Sequence, residues 1–148
     1  MGQLTSQLGQ RVYLDTNIII YAVEGYETYA ELIKSLLGAM TEREVIAVTS
    51  DLTLAEVLVK PKRDGNSKVE QAYRRFLYPT EVLQNSSITR EILETAAGIR
   101  ASSSLKLPDA IHFASAIKHN CDSFLTNDER FENLTGLKVV MLPKLSIT

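Results

Sequence analysis

The chain alternates short apolar runs with segments in which apolar residues recur every three or four positions. The strand-like runs, of which the third is the weakest, lie at residues 12–14, 45–49, 81–83, 123–126 and 138–142. Most of these runs are continuously apolar, which is typical of strands buried on both faces of a parallel sheet. Parallel neighbours need long crossover connections, which are usually helices. The alternation therefore predicts an α/β fold with a mostly parallel central sheet of four or five strands flanked by helices.

The helical segments between these runs are recognised by their apolar stripes and by their end signals. One stripe covers residues 29–40 and a second covers residues 69–77, after which Pro79 ends the helix. Thr89 is a suitable N-cap residue, and Pro108 suits the first turn of a helix. These signals place helices after the first, second and third predicted strands.

The length and composition fit one folded domain. The chain has 148 residues, of which 45% are hydrophobic and 23% are charged, close to the average for globular domains. We expect the domain to cover residues 11–143. Residues 1–10 are read as a frayed N-terminal extension, and residues 144–148 as a C-terminal tail.

Cysteine usage and hydropathy bear on the compartment. Cys121 is the only cysteine, so it cannot form an internal disulfide, and a reducing compartment is the simplest inference. No apolar run approaches the roughly 20 residues that a membrane helix needs. We therefore expect a cytoplasmic protein with no membrane partner.

Positive charge is concentrated in one stretch of an otherwise acidic chain. Residues 60–75 contain six basic and two acidic side chains, whereas the whole chain carries a net charge of −2. The part around residues 60–68 contains Pro61 and Gly65, which predicts a mobile loop. A basic segment on an acidic body suits a substrate that carries phosphates, although a solvated helix face is the alternative. The candidate RNA-binding residues are Lys62, Arg63, Lys68, Arg74 and Arg75.

Four acidic residues follow predicted strands or begin the helices beside them. Asp15 ends the first strand, Glu56 lies in the helix after the second strand, Asp109 is in the first turn of a later helix, and Asp128 follows the strand after it. In open parallel sheets, sites form beyond the carboxyl ends of the strands, so these acids are expected at one rim. Each acid on its own also has an ordinary structural explanation as a cap, turn or surface residue.

Gathered carboxylates repel one another unless a cation lies between them. Oxygen ligands, without a cluster of cysteine or histidine, favour Mg²⁺ or Mn²⁺ over zinc. Such a site can polarise a phosphate and activate water for in-line attack. Neutral side chains beside the acids could orient the ligands, and the candidates are Thr16, Asn17, Thr126 and Asn127. His112 lies one turn after Asp109, and we read it as a packing or hydrogen-bonding residue rather than a proton-transfer group.

Four short motifs resemble those of the PIN-domain ribonucleases, in the order in which that family carries them. They are LDTN around Asp15, LAEV around Glu56, PDAIH ending at His112, and LTND ending at Asp128. The resemblance extends over nearly the whole chain, from about residue 12 to residue 142. Its size and lack of extra domains look most like the VapC-type toxins of toxin–antitoxin pairs.

This resemblance carries specific expectations. It implies a PIN-like three-layer sandwich and a Mg²⁺- or Mn²⁺-dependent endoribonuclease acting on single-stranded or loop RNA. It also implies a homodimer and a cognate antitoxin that blocks the site. Asp15, Glu56, Asp109 and Asp128 would be the catalytic acids, and Asp15, Asp109 and Asp128 would be the metal ligands.

Other function classes remain open from the sequence alone. A PIN domain can also serve in RNA processing outside a toxin pair, or can bind RNA or protein without catalysis. A signalling receiver domain likewise gathers acids at the carboxyl edge of a parallel sheet, but it needs a lysine after the last strand, where only Lys144 stands, behind Pro143. A haloacid-dehalogenase-type phosphotransferase usually carries a second aspartate where this chain has Asn17.

Overall fold

The computed structural model describes residues 2–147, which form seven α-helices and five β-strands. The helices are α1 (Gln3–Leu8), α2 (Thr16–Glu24), α3 (Ala30–Thr41), α4 (Asp51–Asp64), α5 (Ser67–Phe76), α6 (Arg90–Ala101) and α7 (Leu107–Lys118). The strands are β1 (Arg11–Leu14), β2 (Ile46–Ser50), β3 (Leu83–Ser86), β4 (Ser123–Thr126) and β5 (Lys138–Met141). Single 3₁₀ turns occur at Glu27–Tyr29, Glu129–Phe131 and Leu142–Lys144.

The five strands form one sheet in the order β3-β2-β1-β4-β5, and every neighbouring pair is parallel. The predicted α/β class and central parallel sheet are therefore confirmed. Strand β1 is central, and the chain builds the sheet first toward β3 and then, from β4, on the other side of β1. The strand order thus reverses between β1 and β4. In such sheets the crevice beyond the carboxyl ends of the two strands at the reversal is the usual ligand site.

The core has two layers because successive side chains of a strand point to opposite faces of the sheet. On one face, Val12 and Leu14 pack in a cluster with helices α1, α2 and α3. On the other face, Tyr13 packs with Phe124 and with Phe113 of α7. Helices thus cover both faces, which is the three-layer arrangement expected from the sequence.

Two consecutive helices occupy the segment that was predicted as a mobile loop. That prediction is wrong: α4 continues through Pro61 to Asp64, and α5 begins at Ser67. Pro61 removes only its own backbone donor, and its ring is buried. The break comes instead at Gly65, whose left-handed φ of 68° ends α4. The basic residues therefore stand on helices.

Strand β3 ends three residues later than predicted. It covers Leu83–Ser86, whereas the sequence placed the strand at residues 81–83. The strand is at the edge of the sheet, and its inner residues Gln84 and Asn85 are only partly buried. An edge strand needs less apolar surface, so hydropathy gave little signal for its true position.

Residues 2–10 are not a frayed extension. Residues 3–8 form helix α1, whose Leu4 and Leu8 are 5% and 1% exposed and belong to the main core cluster. Leu145, in the segment predicted as a C-terminal tail, is also buried in that cluster. Polar residues separate Leu4 from Leu8, so the hydropathy pattern did not indicate that this end of the chain is buried.

Within residues 2–147, no helix combines the length and the apolar composition that crossing a bilayer requires.

Candidate active site

Asp15 is the residue that joins strand β1 to helix α2. Its backbone N–H donates to the carbonyl of Leu125 in β4, 3.0 Å away, and its side chain caps α2 by accepting from the N–H of Thr16 at 2.9 Å. The residue is only 5% exposed. Burial raises the pKa of Asp15, although His112 and the hydrogen bonds from Thr126 and Thr16 act in the opposite direction. A buried carboxylate of this kind is stabilised by a cation.

Thr126 and Asn17 hold the ends of β1 and β4 together. The Thr126 hydroxyl donates to Oδ2 of Asp15 at 2.6 Å and accepts from the N–H of Asp128 at 3.0 Å. Asn17 donates to the same carboxylate oxygen at 3.2 Å, and its own oxygen accepts from the N–H of Asn127 at 3.1 Å. The network ties the loop that carries Asp128 to the loop that carries Asp15, so the predicted supporting residues do meet the acids.

Glu56 is oriented by two donors. Its Oε1 atom accepts from the Thr16 hydroxyl at 2.7 Å and lies 2.6 Å from Nε2 of His112. His112 is 1% exposed, and its Nδ1 lies 2.7 Å from the Tyr13 hydroxyl. Burial acts to raise the pKa of Glu56, but the hydrogen bonds from His112 and Thr16 outweigh it and the pKa is lowered. Glu56 is therefore ionised at neutral pH, and His112 lies within hydrogen-bond distance of it.

Asp109 and Asp128 face one arginine. The Nη2 atom of Arg130 lies 3.2 Å from Oδ2 of Asp109 and 2.5 Å from Oδ2 of Asp128. Burial raises the pKa of Asp109, and Arg130 opposes this while Asp128 and Glu56 add to it. The hydrogen bond from Arg130 lowers the pKa of Asp128. Asp109 thus experiences the charges of two other acids of the set, which places the carboxylates in one electrostatic cluster.

Residues 12–137 match the family model of the PIN domain, which covers most of the chain and includes all four acids. The chain belongs to the PIN-domain family. No curated protein sequence matches this PIN domain significantly.

Three solved structures illustrate what this PIN domain is similar to. A toxin–antitoxin complex from Klebsiella pneumoniae is 29% identical, with a TM-score of 0.66, covering 88% of this chain and 97% of that chain. VapBC2 from Rickettsia felis, bound to a promoter DNA fragment, is 17% identical with a TM-score of 0.71, covering 89% and 98%. VapC20 from Mycobacterium tuberculosis, a toxin that cleaves the sarcin–ricin loop, is 18% identical with a TM-score of 0.62, covering 82% and 92%. The fold of this PIN domain is thus similar to those of VapC20 and of VapBC2.

The donor set of the PIN domain fits a hard divalent cation. Among residues 2–147, no three His, Cys, Asp or Glu side chains already converge in the geometry of a metal site. The cationic Nη2 atom nevertheless lies close to oxygens of both Asp109 and Asp128, so one positive charge can contact both carboxylates. Buried Asp15 couples electrostatically to Asp109. Asp15, Asp109 and Asp128 as the metal ligands stay a prediction that this donor chemistry supports.

The basic residues lie on the surface of α4 and α5. Lys62 and Arg74 both form ion pairs with Glu70, at 2.9 and 3.1 Å, so part of their charge is neutralised locally. Arg63 is exposed and stands seven residues after Glu56 on α4. Seven residues are nearly two full turns, which puts Arg63 on the Glu56 face, about 10 Å further along the helix. Lys68 and Arg75 are exposed on α5, and the RNA-binding role of all five residues stays a prediction.

Two residues at the site were missed by the sequence argument. Tyr13 was read only as part of a strand, yet its hydroxyl contacts the imidazole that orients Glu56. Arg130 lies outside the set of predicted site residues, although it contacts two of the four acids. Its position two residues after Asp128 was the available signal, since a basic residue directly behind an acidic motif can fold back onto it. Tyr13 had no such signal, because an aromatic residue in a strand is ordinarily core.

Proposed function

We propose that this PIN domain is a metal-dependent endoribonuclease that cleaves single-stranded or loop RNA, and that it is the toxin of a toxin–antitoxin pair. The observation that carries the proposal is the meeting of acids from separate parts of the chain beyond strands β1 and β4. Asp15 is buried and accepts a hydrogen bond from Thr126, and Glu56 is held by His112. Asp109 and Asp128 both contact the guanidinium of Arg130. Acids that served only as helix caps or turn residues would not need to lie together at one rim of the sheet.

The chain's own residues would divide the chemistry among them. Asp15, Asp109 and Asp128 would hold Mg²⁺ or Mn²⁺, which supplies a Lewis acid for the scissile phosphate and an activated water. Glu56 is ionised, and its orientation by His112 and Thr16 leaves it able to accept a hydrogen bond from the attacking water. Thr126, Asn17 and Asn127 keep the two loops in register, so that the carboxylates are already positioned when substrate arrives.

The substrate form follows from the shape of the site. The acids line the rim of the sheet, and Glu56, Asp109 and Asp128 keep 34%, 19% and 23% of their side-chain surface exposed. A flexible strand or loop can bend its backbone to such a rim more readily than a rigid A-form duplex. Lys62, Arg63, Lys68, Arg74 and Arg75 would contact the backbone phosphates on either side of the cut.

The toxin assignment draws on the relatives. The Klebsiella pneumoniae neighbour, at 29% identity, belongs to a toxin–antitoxin complex. The match covers 88% of this chain and 97% of the neighbour's chain. We therefore infer a cognate antitoxin that covers the acidic site, a homodimer, and action in the cytoplasm on cellular RNA. The alternative within the family is a PIN domain that processes RNA without an antitoxin.

A signalling receiver is not compatible with the fold. Receiver domains of the flavodoxin-like type have the strand order 2-1-3-4-5. The order here is β3-β2-β1-β4-β5, in which β1 is central. The acidic rim is therefore not the phosphorylation pocket of a receiver.

The central experiment replaces Asp15 by Asn in the purified protein. The amide keeps the size of the carboxylate but is neutral, so a divalent cation loses a ligand, and we expect cleavage of an unstructured RNA to fall at least about 100-fold. Asp51→Asn is the matched control, because Asp51 follows β2 at the same rim but is exposed. EDTA should stop the wild-type reaction, and Mg²⁺ or Mn²⁺ should restore it. Full cleavage by Asp15→Asn, or by the wild type in EDTA, would overturn the proposal.

The toxin assignment has its own experiment. Expression of the wild type in a bacterial host should arrest growth, and expression of Asp15→Asn should not. Tagged Asp15→Asn protein, expressed together with the neighbouring gene of its native locus, should co-purify with a small partner that inhibits the wild-type nuclease. Cleavage activity without growth arrest and without an inhibitory partner would favour the RNA-processing alternative.

A further inference from the structure

We propose that the guanidinium of Arg130 is an internal substitute for the divalent cation. It neutralises Asp109 and Asp128, and it must swing away before a metal can bind between them. This inference rests on the proposed metal-dependent function, but it concerns a step before catalysis. The Arg130 guanidinium competes with the divalent cation for these carboxylates, and this competition sets the metal concentration at which the site is filled.

The contacts of Arg130 are those of a cation between two acids. Its Nη2 atom contacts a carboxylate oxygen of Asp109 and one of Asp128, at 3.2 and 2.5 Å. Its Nε atom lies 3.1 Å from each oxygen of Asp128. Both acids would otherwise repel each other, and the guanidinium holds the pKa of Asp128 below its usual range. The oxygens that Arg130 contacts are the oxygens that a metal would need.

The guanidinium is not needed to build the turn that carries it. Asp128 caps the 3₁₀ turn Glu129–Phe131 by accepting from the backbone N–H of Arg130 at 3.0 Å. Phe131, at the end of this turn, is fully buried against Phe124. Backbone capping and aromatic packing thus fix the turn, and the turn does not depend on the contacts of the Arg130 guanidinium.

The arginine also has space to move into. Its side chain is 47% exposed, which is typical of a group that exchanges between partners rather than one locked in a core. Arg130 lines a cavity of about 460 Å³, together with Ser103, Asn133 and Thr135. When a metal takes the two carboxylates, the displaced guanidinium can enter this polar cavity without being buried unpaired.

The test is metal binding in the absence of RNA. Arg130→Gln should bind Mn²⁺ about three- to tenfold more tightly than the wild type by isothermal titration calorimetry or by the Mn²⁺ electron paramagnetic resonance signal, because the metal no longer displaces two ion pairs. Arg130→Lys keeps the charge but loses the fork of donors, so it should give a smaller gain. Arg43→Gln is the matched control, since it removes an equal charge from an exposed ion pair with Glu81.

A second measurement uses the melting temperature. Without metal, Arg130→Gln should melt at a lower temperature than the wild type, because the acids lose their counter-charge. Saturating Mn²⁺ should raise its melting temperature by more than that of the wild type. If Arg130→Gln is too unstable to study, Arg130→Lys provides the same comparison of Mn²⁺ affinities.

Several results would overturn the proposal. Equal or weaker Mn²⁺ binding by Arg130→Gln would show that the arginine does not compete with the metal. An equal gain in Arg43→Gln would reduce the effect to overall charge. Because no RNA is present, failure of this proposal is distinguishable from failure of the nuclease assignment: wild-type cleavage that needs metal would stand even if Arg130 had no effect. Absence of any Mn²⁺ binding in all variants would overturn both.

Discussion

His112 and Glu56 are joined by a 2.6 Å contact between Nε2 and Oε1, although 56 residues separate them in the chain. A carboxylate can only accept a hydrogen bond, so Nε2 of His112 carries a proton. When the ring is neutral, Nδ1 is the acceptor, and the Tyr13 hydroxyl 2.7 Å away donates to it. Burial raises the pKa of Tyr13 well above its usual value, so this hydroxyl keeps its proton. Tyr13 therefore sets the tautomer of His112, which in turn orients Glu56.

The first prediction concerns the hydrogen bonds that join Tyr13, His112 and Glu56. Tyr13→Phe leaves Nδ1 of His112 without its donor and permits the other tautomer, which no longer donates to Glu56. We expect kcat for RNA cleavage to fall about 10- to 100-fold, while KM changes little. The loss of a buried hydrogen bond should also cost about 1–3 kcal/mol of unfolding free energy.

The control for this prediction is Tyr73→Phe. Tyr73 is also fully buried, and its hydroxyl donates to Glu24, away from the acidic rim. Its loss should destabilise the protein without lowering kcat. Equal kcat values for both variants, measured under conditions in which each is folded, would show that Tyr13 is only a core residue.

The second prediction concerns helix α1. Leu8 is 1% exposed in the main core cluster, so Leu8→Ala should lower the free energy of unfolding by about 2–5 kcal/mol in urea titrations. Gln3→Ala, at an exposed position of the same helix, should change it by less than about 0.5 kcal/mol. Similar stability for Leu8→Ala and wild type would mean that α1 detaches from the core in solution.

The sequence predicted the elements whose signal is local and periodic. The buried strands were visible as continuous apolar runs, and Asp15 and Asp128 were visible because each directly follows such a run. Parallel strands bring their carboxyl ends to one edge, so the rim followed from topology alone. Glu56 was placed there because it lies in the helix after β2.

The remaining features depend on tertiary contacts that no local pattern carries. Helix α1 is short and polar on its outer face, and only its packing on the core reveals Leu4 and Leu8 as buried. Pro61 is accommodated in the last turn of α4, where it is buried. The pairing of Tyr13 with His112 joins residues 99 positions apart, which required knowledge of which strand face meets α7.

The third prediction tests the basic surface through the salt dependence of RNA affinity. Arg63 lies on the Glu56 face of α4, so Arg63→Gln in an Asp15→Asn background should weaken binding of unrelated single-stranded RNAs to a similar degree. The slope of log affinity against log salt should become shallower by about 0.7, the value for one lost phosphate contact on a single strand. Arg100→Gln is the charge-matched control, because exposed Arg100 is on α6, the helix that packs with α7 on the opposite face of the sheet.

Two other outcomes would contradict this prediction. Identical slopes for Arg63→Gln and Arg100→Gln would return the basic stretch to an ordinary solvated surface. A changed sequence preference with an unchanged slope would indicate that Arg63 contacts bases rather than phosphates.

The last prediction concerns Cys121, which is 7% exposed and lies before β4. Burial raises the pKa of its thiol to about 12. In the unfolded chain the thiol has a pKa of about 8.5, so unfolding releases a proton above that pH. The stability that the protonated thiol contributes is complete below about pH 8.5 and is lost as the pH rises toward 12. Between pH 7.5 and 9.5 the wild type should therefore lose about 1 kcal/mol of unfolding free energy relative to Cys121→Ala. Urea titrations at the two pH values measure this difference, in which all other titrating groups cancel.

Iodoacetamide at pH 8 should modify Cys121 only after urea unfolds the chain. Rapid alkylation of the native protein, or a difference that does not change with pH, would show that the thiol is accessible and ionises normally.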